Sequence, residues 1–306
     1  MASRGRRIGI DLGGTAVKAG AVTGGGEVQG EARAEVSFER GPGEVLDTIA
    51  GLFRRLGGGD ALGAGVPGLL ERESGRVVAS PNLPGFSGVA VRDELARRTG
   101  LPPAAVRIEN DANCAALGEQ WLGAARGERD ALVVTLGTGI GGGLILGGEL
   151  YTGAGMAGEL GHVVVDPRGP PCGCGARGCA ETLSSASAAR RRALEAGLPR
   201  GAPGDLELLV RGAREGSADE RRLLAEIGRD LGRAIGVVVC LLDVRLCVVG
   251  GGFGAALDQL EPGIREGIDE RSYGMRGAAM RIVPAKLGSS AGWIGAARLV
   301  RAPGAP

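Results

Sequence analysis

A short structural plan occurs twice in this chain: an apolar strand, a glycine-rich turn and a second apolar strand. Residues 7–22 read RIGIDLGGTAVKAGAV, and residues 131–146 read ALVVTLGTGIGGGLIL. The turns DLGGT and TLGTG share only a leucine and one glycine, so the similarity is one of pattern. A repeated plan constrains the fold strongly, because each copy must open a comparable unit. The sequence therefore predicts two related halves.

Segments with helical and strand patterns alternate along the rest of the chain. The helical segments carry apolar residues on one face, whereas the strand segments are short apolar runs. Such alternation is typical of an α/β fold. The predicted helices lie near 43–56, 91–99, 112–122, 186–196, 206–215 and 218–242, after the glycine run 250–252 and from about 291. Predicted strands lie near 61–66, just before the segment ENDANCAALGEQWLG, and near 246–249 and 281–284.

The composition is that of a globular chain and excludes several classes of function. Its 306 residues suggest two domains, and the net charge of +1 offers no field for nucleic acid or a membrane surface. No run of about 18 apolar residues occurs, and the start MASRGRR lacks an apolar signal segment. We therefore expect a cytoplasmic protein without nucleic-acid or membrane partners, and a buried helix end at residues 237–242.

One histidine and three cysteines are close together in the sequence. His162 is the only histidine, and Cys172, Cys174 and Cys179 follow it. Buried thiols or a disulfide are the alternatives, but half of the six cysteines beside the sole histidine favour a metal site. Zn²⁺ prefers four tetrahedral nitrogen and sulfur ligands, and four protein ligands leave no position for water. The cluster predicts a structural Zn²⁺.

The two glycine turns have the character of phosphate-binding loops, because glycine lets backbone N–H groups approach an anion closely. Asp11 ends the first strand and can hold Mg²⁺ through water, which Mg²⁺ retains in most sites. Lys18 is a further candidate, although on a strand it can simply face solvent. The candidate phosphate contacts are Asp11, Gly13, Gly14, Thr15 and Lys18 in the first copy and Gly137, Thr138 and Gly139 in the second.

Two familiar nucleotide motifs do not account for these turns. No GxxxxGK[ST] loop occurs in the chain. Gly137-x-Gly139-x-x-Gly142 matches the dinucleotide fingerprint, but that fingerprint must open a helix, and the segment GGLILGGELYTG predicts a strand. A tight hairpin would explain one glycine turn alone. Two equivalent turns, with a third glycine run at 250–252, favour phosphate binding.

Three carboxylates are candidates for chemistry on a hydroxyl group. Asp111 lies between a predicted strand and a predicted helix, where it can accept a proton from a substrate hydroxyl or simply cap the helix. Glu159 and Glu181 flank the metal cluster and can accept hydrogen bonds from hydroxyls. Solvation at the surface is the alternative for each glutamate.

The order of these motifs resembles that of the ROK family of sugar kinases, especially its bacterial glucokinases. The resemblance covers most of the chain. DLGGTAVK resembles the first phosphate motif, ENDANCAALGE the segment with the catalytic aspartate, VVTLGTGIGGGLILGGELYTGAGMAGELGH the long signature, CGCGARGCAET the zinc motif, VVGGGFG the adenosine-side motif, and GVPG and SPNLPGF the sugar-contacting loops.

The resemblance implies an actin-like ATPase (ribonuclease H-like) fold, an α/β fold of two duplicated domains around a cleft that holds ATP and Mg²⁺. A small domain would span 1–114, with a C-terminal helix at about 289–306 returning to it. A larger domain at 115–288 would carry the zinc motif.

The resemblance also assigns roles to individual residues. Asp111 would be the catalytic base, and His162 would bind zinc with one ring nitrogen and face the sugar with the other. Gly251 and Gly252 would lie on the adenosine side of ATP. The sugar contacts would be Asn110, Asp111, Glu159, His162 and Glu181, with Gly68 and Asn82 as further candidates.

Glucose is the first choice of substrate. N-acetylmannosamine, N-acetylglucosamine and fructose are alternatives. A non-catalytic sugar-responsive regulator is a further alternative, although only ten residues precede Asp11, too few for the winged helix-turn-helix of the repressors in this family. The complete zinc motif argues against a polyphosphate-dependent glucokinase. By resemblance, a homodimer or homotetramer is expected.

Overall fold

The structure is a computed structural model that describes residues 5–80 and 82–300, within which the strands form two five-stranded sheets and one small hairpin. The first sheet contains β1 (Arg7–Leu12), β2 (Ala16–Val22), β3 (Val28–Glu35), β4 (Ala61–Val66) and β7 (Val106–Asn110), and β5 (Leu69–Glu71) and β6 (Arg76–Ala79) form the hairpin. The second sheet contains β8 (Ala131–Leu136), β9 (Ile140–Leu146), β10 (Glu149–Tyr151), β11 (Leu246–Gly250) and β12 (Arg281–Pro284).

The two large sheets have the same connectivity. Their strand orders are β3-β2-β1-β4-β7 and β10-β9-β8-β11-β12, so in each the first three strands form an antiparallel meander and the last two join in parallel. The predicted duplication is therefore confirmed, including the hairpin that opens each copy. The two turns share few identical residues, yet the topology of the whole five-stranded sheet is repeated.

The helices follow the sequence prediction closely. Only the short α4 was not predicted, together with strands β3, β5, β6 and β10. The helices are α1 (Pro42–Arg55), α2 (Val91–Thr99), α3 (Asp111–Leu122), α4 (Ala180–Ser184), α5 (Ala186–Glu195), α6 (Leu206–Glu215), α7 (Ala218–Leu242), α8 (Leu257–Arg271) and α9 (Ala291–Leu299).

By their internal contacts the residues divide into two units. Unit 1 comprises the chain up to Arg129, Gly143–Ala157 and the chain from Lys286, and unit 2 comprises Asp130–Gly142 and Gly158–Ala285. The boundary expected at residue 114 falls inside α3, and the domain limits given above remain predictions. Of the helix expected at 289–306, α9 accounts for Ala291–Leu299, and residues 301–306 lie outside the described residues.

In unit 1 the first sheet separates a large apolar core from helix α9. Strand residues such as Ile8, Ile10 and Leu62 are fully buried in a cluster with residues of α1 and α2. Successive residues of a strand point to opposite faces, so the glycines between these residues lie on the face that receives α9. The sequence of β1 thus alternates between a bulky face and a bare one.

Three of these glycines form a row across β2, β1 and β4, because Gly9 is in register with both Gly20 and Gly63. A Cβ on Gly9 would lie 1.8 Å from the carbonyl oxygen of Trp293, and one on Gly20 would lie 2.3 Å from its ring. The backbone of α9 therefore lies directly on the sheet, and Trp293 is almost completely buried there.

Glycines serve the same purpose in unit 2, where α7 and α8 pack side by side. A Cβ on Gly228 or Gly232 would lie 2.1 Å from a carbonyl oxygen of α8, and one on Gly263 would lie 1.8 Å from an oxygen of α7. The spacing of four residues places such glycines on one helix face. Several glycines of the chain are thus required by helix packing.

The last turn of α7 corrects one expectation. Residues 237–242 were expected to be a buried helix end, but Leu241 is 76% exposed and Leu242 40% exposed. The reason is that α7 and α8 run in parallel, and α8 ends at Arg271, beside Gly236. The final residues of α7 extend past it. Within the described ranges, no helix is both long and apolar enough to cross a membrane.

Replacement of Gly63 by alanine tests the glycine row. The new Cβ would lie 1.8 Å from the backbone oxygen of Ala296, which cannot move independently of α9. We expect the free energy of unfolding in urea to fall by about 3 kcal/mol. The control is Gly30→Ala on β3, where the nearest atom is 3.7 Å away and a change below about 0.5 kcal/mol is expected. Equal losses in both variants would contradict the role of the row.

Candidate active site

In unit 1, the candidate residues lie where three parallel strands end. Asp11 on β1 is in register with Gly65 on β4, and Gly65 is in register with Glu109 on β7. Burial, followed by the charges of Glu109, Asp11 and Asp111, raises the pKa of Cys114 well above its ordinary value. The three carboxylates therefore all act electrostatically on one buried thiol. Carboxyl ends of parallel strands are the usual place for ligands in such sheets.

Asp11 lies in an environment that disfavours its charge. Burial raises the pKa of its carboxyl group, and the positive charge of Lys18 lowers it in part. Lys18 is the register partner of Asp11 in the hairpin, so it acts on this carboxylate. The carboxyl group also lies against the start of α9, where a Cβ on Gly292 would be 2.7 Å from Cγ of Asp11. A cation bound here would favour the charged form.

The first glycine turn, between β1 and β2, is closed by a hydrogen bond from the backbone N–H of Gly13 to the carbonyl oxygen of Ala16 (2.9 Å). Gly14 and Thr15 at its tip are exposed, and a Cβ on Gly14 would have no neighbour within 4 Å. The turn is therefore open to an approaching group at its tip, as a phosphate-binding turn must be.

Asn110, and not Asp111, caps helix α3. Oδ1 of Asn110 accepts hydrogen bonds from the backbone N–H groups of Ala112 (2.9 Å) and Asn113 (3.3 Å). The alternative that Asp111 is the cap is therefore wrong, because Asp111 is already the first residue of the helix. Its carboxylate lies in the first turn, where the helix dipole stabilises a negative charge.

The side chain of Asn110 also contacts a predicted sugar loop. Its Nδ2 donates a hydrogen bond to the carbonyl oxygen of Gly68 (3.4 Å). Gly68 has φ +113°, and a Cβ there would lie 2.4 Å from the carbonyl oxygen of Ala79, so only glycine fits. Asn82 is exposed, and its side chain forms no hydrogen bond with the residues that the structure describes. Pro81 in the same loop lies outside those residues.

A buried carboxylate that the sequence analysis missed holds this junction in place. Glu109 is 3% exposed, and its Oε2 accepts hydrogen bonds from Nε (2.8 Å) and Nη2 (2.7 Å) of Arg72. Its Oε1 accepts from the backbone N–H of Asn110 (2.9 Å) and from Nδ2 of Asn113 (3.1 Å). Arg72 also donates to Oγ1 of Thr152. Arg72 lies outside every motif, so no sequence signal marked it.

In unit 2, the second glycine turn and the third glycine run meet. Gly137 donates a backbone hydrogen bond to the carbonyl oxygen of Gly139 (3.0 Å), and the turn leads into β9. A strand here confirms that the match to the dinucleotide fingerprint is fortuitous. A Cβ on Gly251 would lie 2.3 Å from the carbonyl oxygen of Leu136, so this glycine lies against the start of the turn. Gly252 follows and precedes a short 3₁₀ helix.

The four predicted metal ligands come together in unit 2. Nδ1 of His162 lies 3.6 Å from Sγ of Cys172, Sγ of Cys174 lies 3.7 Å from Sγ of Cys179, and all four ligand atoms are within 4.8 Å of one another. A tetrahedron of Zn–S bonds near 2.3 Å has edges of about 3.8 Å. A disulfide would require about 2.05 Å between sulfurs. The donor set and its dimensions therefore fit Zn²⁺.

The thiols of the cluster differ in their pKa. Burial, followed by the neighbouring thiols Cys174 and Cys172, raises the pKa of Cys179 to about 12. The pKa of Cys174 is lowered, chiefly by a hydrogen bond from the backbone of Ala176. Thiolates are the form that binds zinc, and a bound cation offsets the penalty of charging a buried thiol.

The remaining candidates of unit 2 lie around the start of β9. Nε2 of His162 faces Glu159, with 4.0 Å between Nε2 and Oε2. The segment carrying both packs tightly on the strand, since a Cβ on Gly161 would lie 2.3 Å from the carbonyl oxygen of Ile140. Glu181 binds the same residue, because its Oε2 accepts a hydrogen bond from the N–H of Ile140 (2.9 Å). These acceptors therefore adjoin the second glycine turn.

Comparisons with known proteins agree with this arrangement. A model described as the ROK family matches residues 7–302. A glucokinase from Thermotoga maritima is 36% identical over 311 residues, covering 96% of each chain. Among solved structures, a ROK hexokinase from Thermus thermophilus is 35% identical with a TM-score of 0.79, over 95% of this chain and 96% of that one.

A ROK family glucokinase from Streptomyces griseus, solved in complex with glucose and AMPPNP, is 31% identical with a TM-score of 0.82, over 97% of this chain and 99% of that one. Together with the two equivalent sheets, these structures confirm the actin-like ATPase fold expected from the motifs.

Replacement of Arg72 by methionine tests the network around Glu109. The buried carboxylate would lose its charged partner, and we expect unfolding free energy to fall by about 1–2 kcal/mol, because Arg72 itself is partly exposed. Urea denaturation measures the change. The double variant Arg72→Met/Glu109→Gln should lose less than the sum of its single variants. The control Arg33→Met removes an exposed arginine whose nearest carboxylate oxygen is 4.0 Å away. Strict additivity would rule out the network.

Proposed function

The chain belongs to the ROK family, and we propose that it transfers the γ-phosphoryl group of ATP to a hydroxyl of a hexose, with glucose as the first choice. Full-length similarity to glucokinases supports this activity. The observation that carries the assignment of residues is the strand edge of unit 1, where Asp11 is in register with Gly65 of β4 and the backbone of Asp111 lies against the same glycine. A kinase needs two such carboxylates, one for the metal and one for the proton.

Asp111 would act as the general base. Its carboxylate would accept the proton of the attacking hydroxyl as the oxygen bonds to the γ-phosphorus. Because Asn110 caps α3, Asp111 is not needed for that purpose. The bonds that Glu109 makes to the backbone of Asn110 would keep the base in position. Phosphoryl transfer depends mostly on positioning and charge stabilisation, so such rigidity contributes to the rate.

The phosphates of ATP would be held by the glycine turns. Gly13, Gly14 and Thr15 present an exposed tip, and Gly137, Thr138 and Gly139 form the equivalent turn in unit 2. Gly251 and Gly252 would approach the adenosine, and Lys18 would add positive charge near Asp11. Mg²⁺, when bound, neutralises charge on the phosphate oxygens. Asp11 would hold it through water, and the cation would offset the burial that disfavours the charged carboxylate.

The sugar hydroxyls would be bound by carboxylates and by His162. Glu159 and Glu181 accept hydrogen bonds, and Nε2 of His162 faces Glu159 rather than the cysteines. Asn110 would use its amide group, with Gly68 and Asn82 contributing from the neighbouring loop. A zinc ion bound by His162, Cys172, Cys174 and Cys179 would fix the imidazole ring, since metal ligation sets its tautomer and orientation.

The specificity for glucose is the first matter to test. We also propose that the protein is a cytoplasmic dimer or tetramer that binds neither nucleic acid nor membrane. A coupled ATP assay across a panel of hexoses tests which sugar is the substrate. The highest kcat/KM is expected with glucose. A higher value with N-acetylmannosamine, N-acetylglucosamine or fructose would replace glucose by that sugar. Sugar binding without turnover of any member would support a non-catalytic regulator instead.

The variant Asp111→Asn tests the general base. We expect kcat to fall by roughly 10²–10⁴-fold, the usual loss for a positioned base, while calorimetry shows the sugar affinity largely retained. The control is Asp93→Asn, which alters an exposed aspartate in the first turn of another helix, α2. The control should keep the wild-type rate. Turnover by Asp111→Asn at that rate would refute the assignment.

Elemental analysis of the purified chain tests the metal. We expect one zinc per chain, and Cys174→Ser should reduce both the zinc content and the sugar affinity, because His162 would lose its fixed orientation. Cys240→Ser is the matched control, since Cys240 is an exposed cysteine outside the cluster. Absence of zinc from the wild type would exclude the site. Zinc loss without any change in sugar affinity would restrict the metal to stabilising the fold.

A further inference from the structure

Glu181 contacts the protein backbone in addition to facing the proposed sugar site, and sugar binding by itself does not explain this contact. One carboxylate oxygen, Oε2, accepts the hydrogen bond from the backbone N–H of Ile140. Ile140 begins β9 and directly follows the glycine turn 137–139. The other oxygen, Oε1, has no hydrogen-bond partner among the residues that the structure describes. Glu181 therefore has one oxygen committed to the turn and one available for a hydroxyl donor.

The approach of Glu181 to the turn depends on the glycine at position 139. A Cβ there would lie 2.2 Å from Oε2 and 3.1 Å from Cδ of Glu181. Gly139 is not among the glycines with positive φ, so its backbone conformation does not demand glycine. What demands glycine is the space that the carboxylate occupies. The sequence pattern around this turn is thus explained by a side chain more than forty residues away.

A second bond fastens the other end of the same turn. The backbone N–H of Ala186 donates to the carbonyl oxygen of Gly137 (2.9 Å). Glu181 lies in the first turn of α4, and Ala186 begins the helix that follows it. The turn is therefore held at Gly137 and at Ile140 by one short segment, which begins immediately after Cys179 of the metal cluster.

We propose that Glu181 positions the phosphate turn for ATP while it binds the hexose, one carboxylate oxygen serving each task. The proposal rests on the proposed function, which provides both substrates. A hydroxyl bound to Oε1 would restrict rotation of the carboxylate and keep Oε2 on the N–H of Ile140. Sugar binding would thereby fix the conformation of the phosphate turn before ATP reacts. A turn already in that conformation would likewise favour sugar binding.

Gly139→Ala gives the sharpest test, because the substitution lies in the turn proposed to bind ATP whereas the measured quantity is the affinity for glucose. The clashing atoms belong to the end of a flexible side chain, so the variant is expected to fold with Glu181 turned away. Calorimetry with glucose on the full chain without nucleotide should show a Kd raised about 10- to 100-fold, the effect of losing a hydrogen bond to a charged group.

The matched control is Gly137→Ala in the same turn. A Cβ at that position has no neighbour within 4 Å. It should leave the Kd for glucose unchanged, whatever its effect on ATP. The double variant Gly139→Ala/Glu181→Ala should bind glucose no more weakly than Glu181→Ala alone, since both changes remove the same contact. Wild-type glucose affinity in Gly139→Ala, or additive losses in the double variant, would overturn the proposal.

A second comparison applies if Gly139→Ala fails to fold. Glu181→Ala should raise both the Kd for glucose and the KM for ATP, each about tenfold or more. Glu159→Ala, whose only hydrogen-bonding or ionic contact among described residues is with His162, should raise the Kd for glucose and leave the KM for ATP unchanged. Equal KM values for ATP in the two variants would overturn the link to the turn.

The outcome for the wild type separates this proposal from the proposed function. If the wild-type chain binds a non-hydrolysable ATP analogue but no hexose, the proposed function fails. In that case weaker binding of the analogue by Glu181→Ala still supports the contact with the phosphate turn, and unchanged binding overturns it.

Discussion

The direct contact between α9 and the bare face of the first sheet is the constraint on which unit 1 depends. Gly9, Gly20 and Gly63 present no side chain at that contact, so the backbone of α9 and the ring of Trp293 rest directly on the strand backbones. Helix α3 is then placed by α9, because a Cβ on Gly295 would lie 1.6 Å from the carbonyl oxygen of Cys114. The junction carrying Asn110 and Asp111 is the start of that same α3.

Two buried carboxylates also hold helix α3 in place, in addition to the glycine contacts with α9. Glu119 is fully buried in α3, and it accepts hydrogen bonds from the backbone N–H groups of Ala124 (2.7 Å) and Leu287 (2.8 Å). Glu109 does the same at the other end of the helix. A carboxylate with several N–H donors is strongly held, and the donors lose their freedom as well. The two ends of α3 are thus held by hydrogen bonds to buried carboxylates, and its middle is held by close packing against α9.

Much of this molecule could be predicted from its sequence, and the failures have physical reasons. The strand plan that occurs twice predicted the two sheets, and apolar periodicity gave helices such as α1 and α2 almost to the residue. Strand β3 was missed because VQGEARAE is an edge strand whose inward residues, Ala32 and Ala34, are small, so its apolar alternation is weak among the charged residues. The exposed end of α7 was misjudged because its sequence says nothing of where α8 ends.

Some parts of the candidate site could be predicted from the sequence and others could not, depending on whether the residues in contact are close in the chain. The metal cluster was predictable because its ligands are close in the chain and chemically distinctive. The clamp of Arg72 on Glu109 was not, since it joins residues 37 positions apart without a motif. Whether Asn110 or Asp111 caps α3 depended on one residue of register at the start of the helix, and the exact end of a helix is its least predictable feature.

Several of the expected sugar contacts already have a structural task. Asn110 caps a helix, Glu181 holds a turn, and His162 adjoins the thiols. A substitution at any of them would disturb the scaffold together with the recognition of substrate, so these positions offer little latitude to evolution or to an engineer. Asn82 is exposed and has no such task among the described residues. Diversification of the substrate range should therefore begin in its loop.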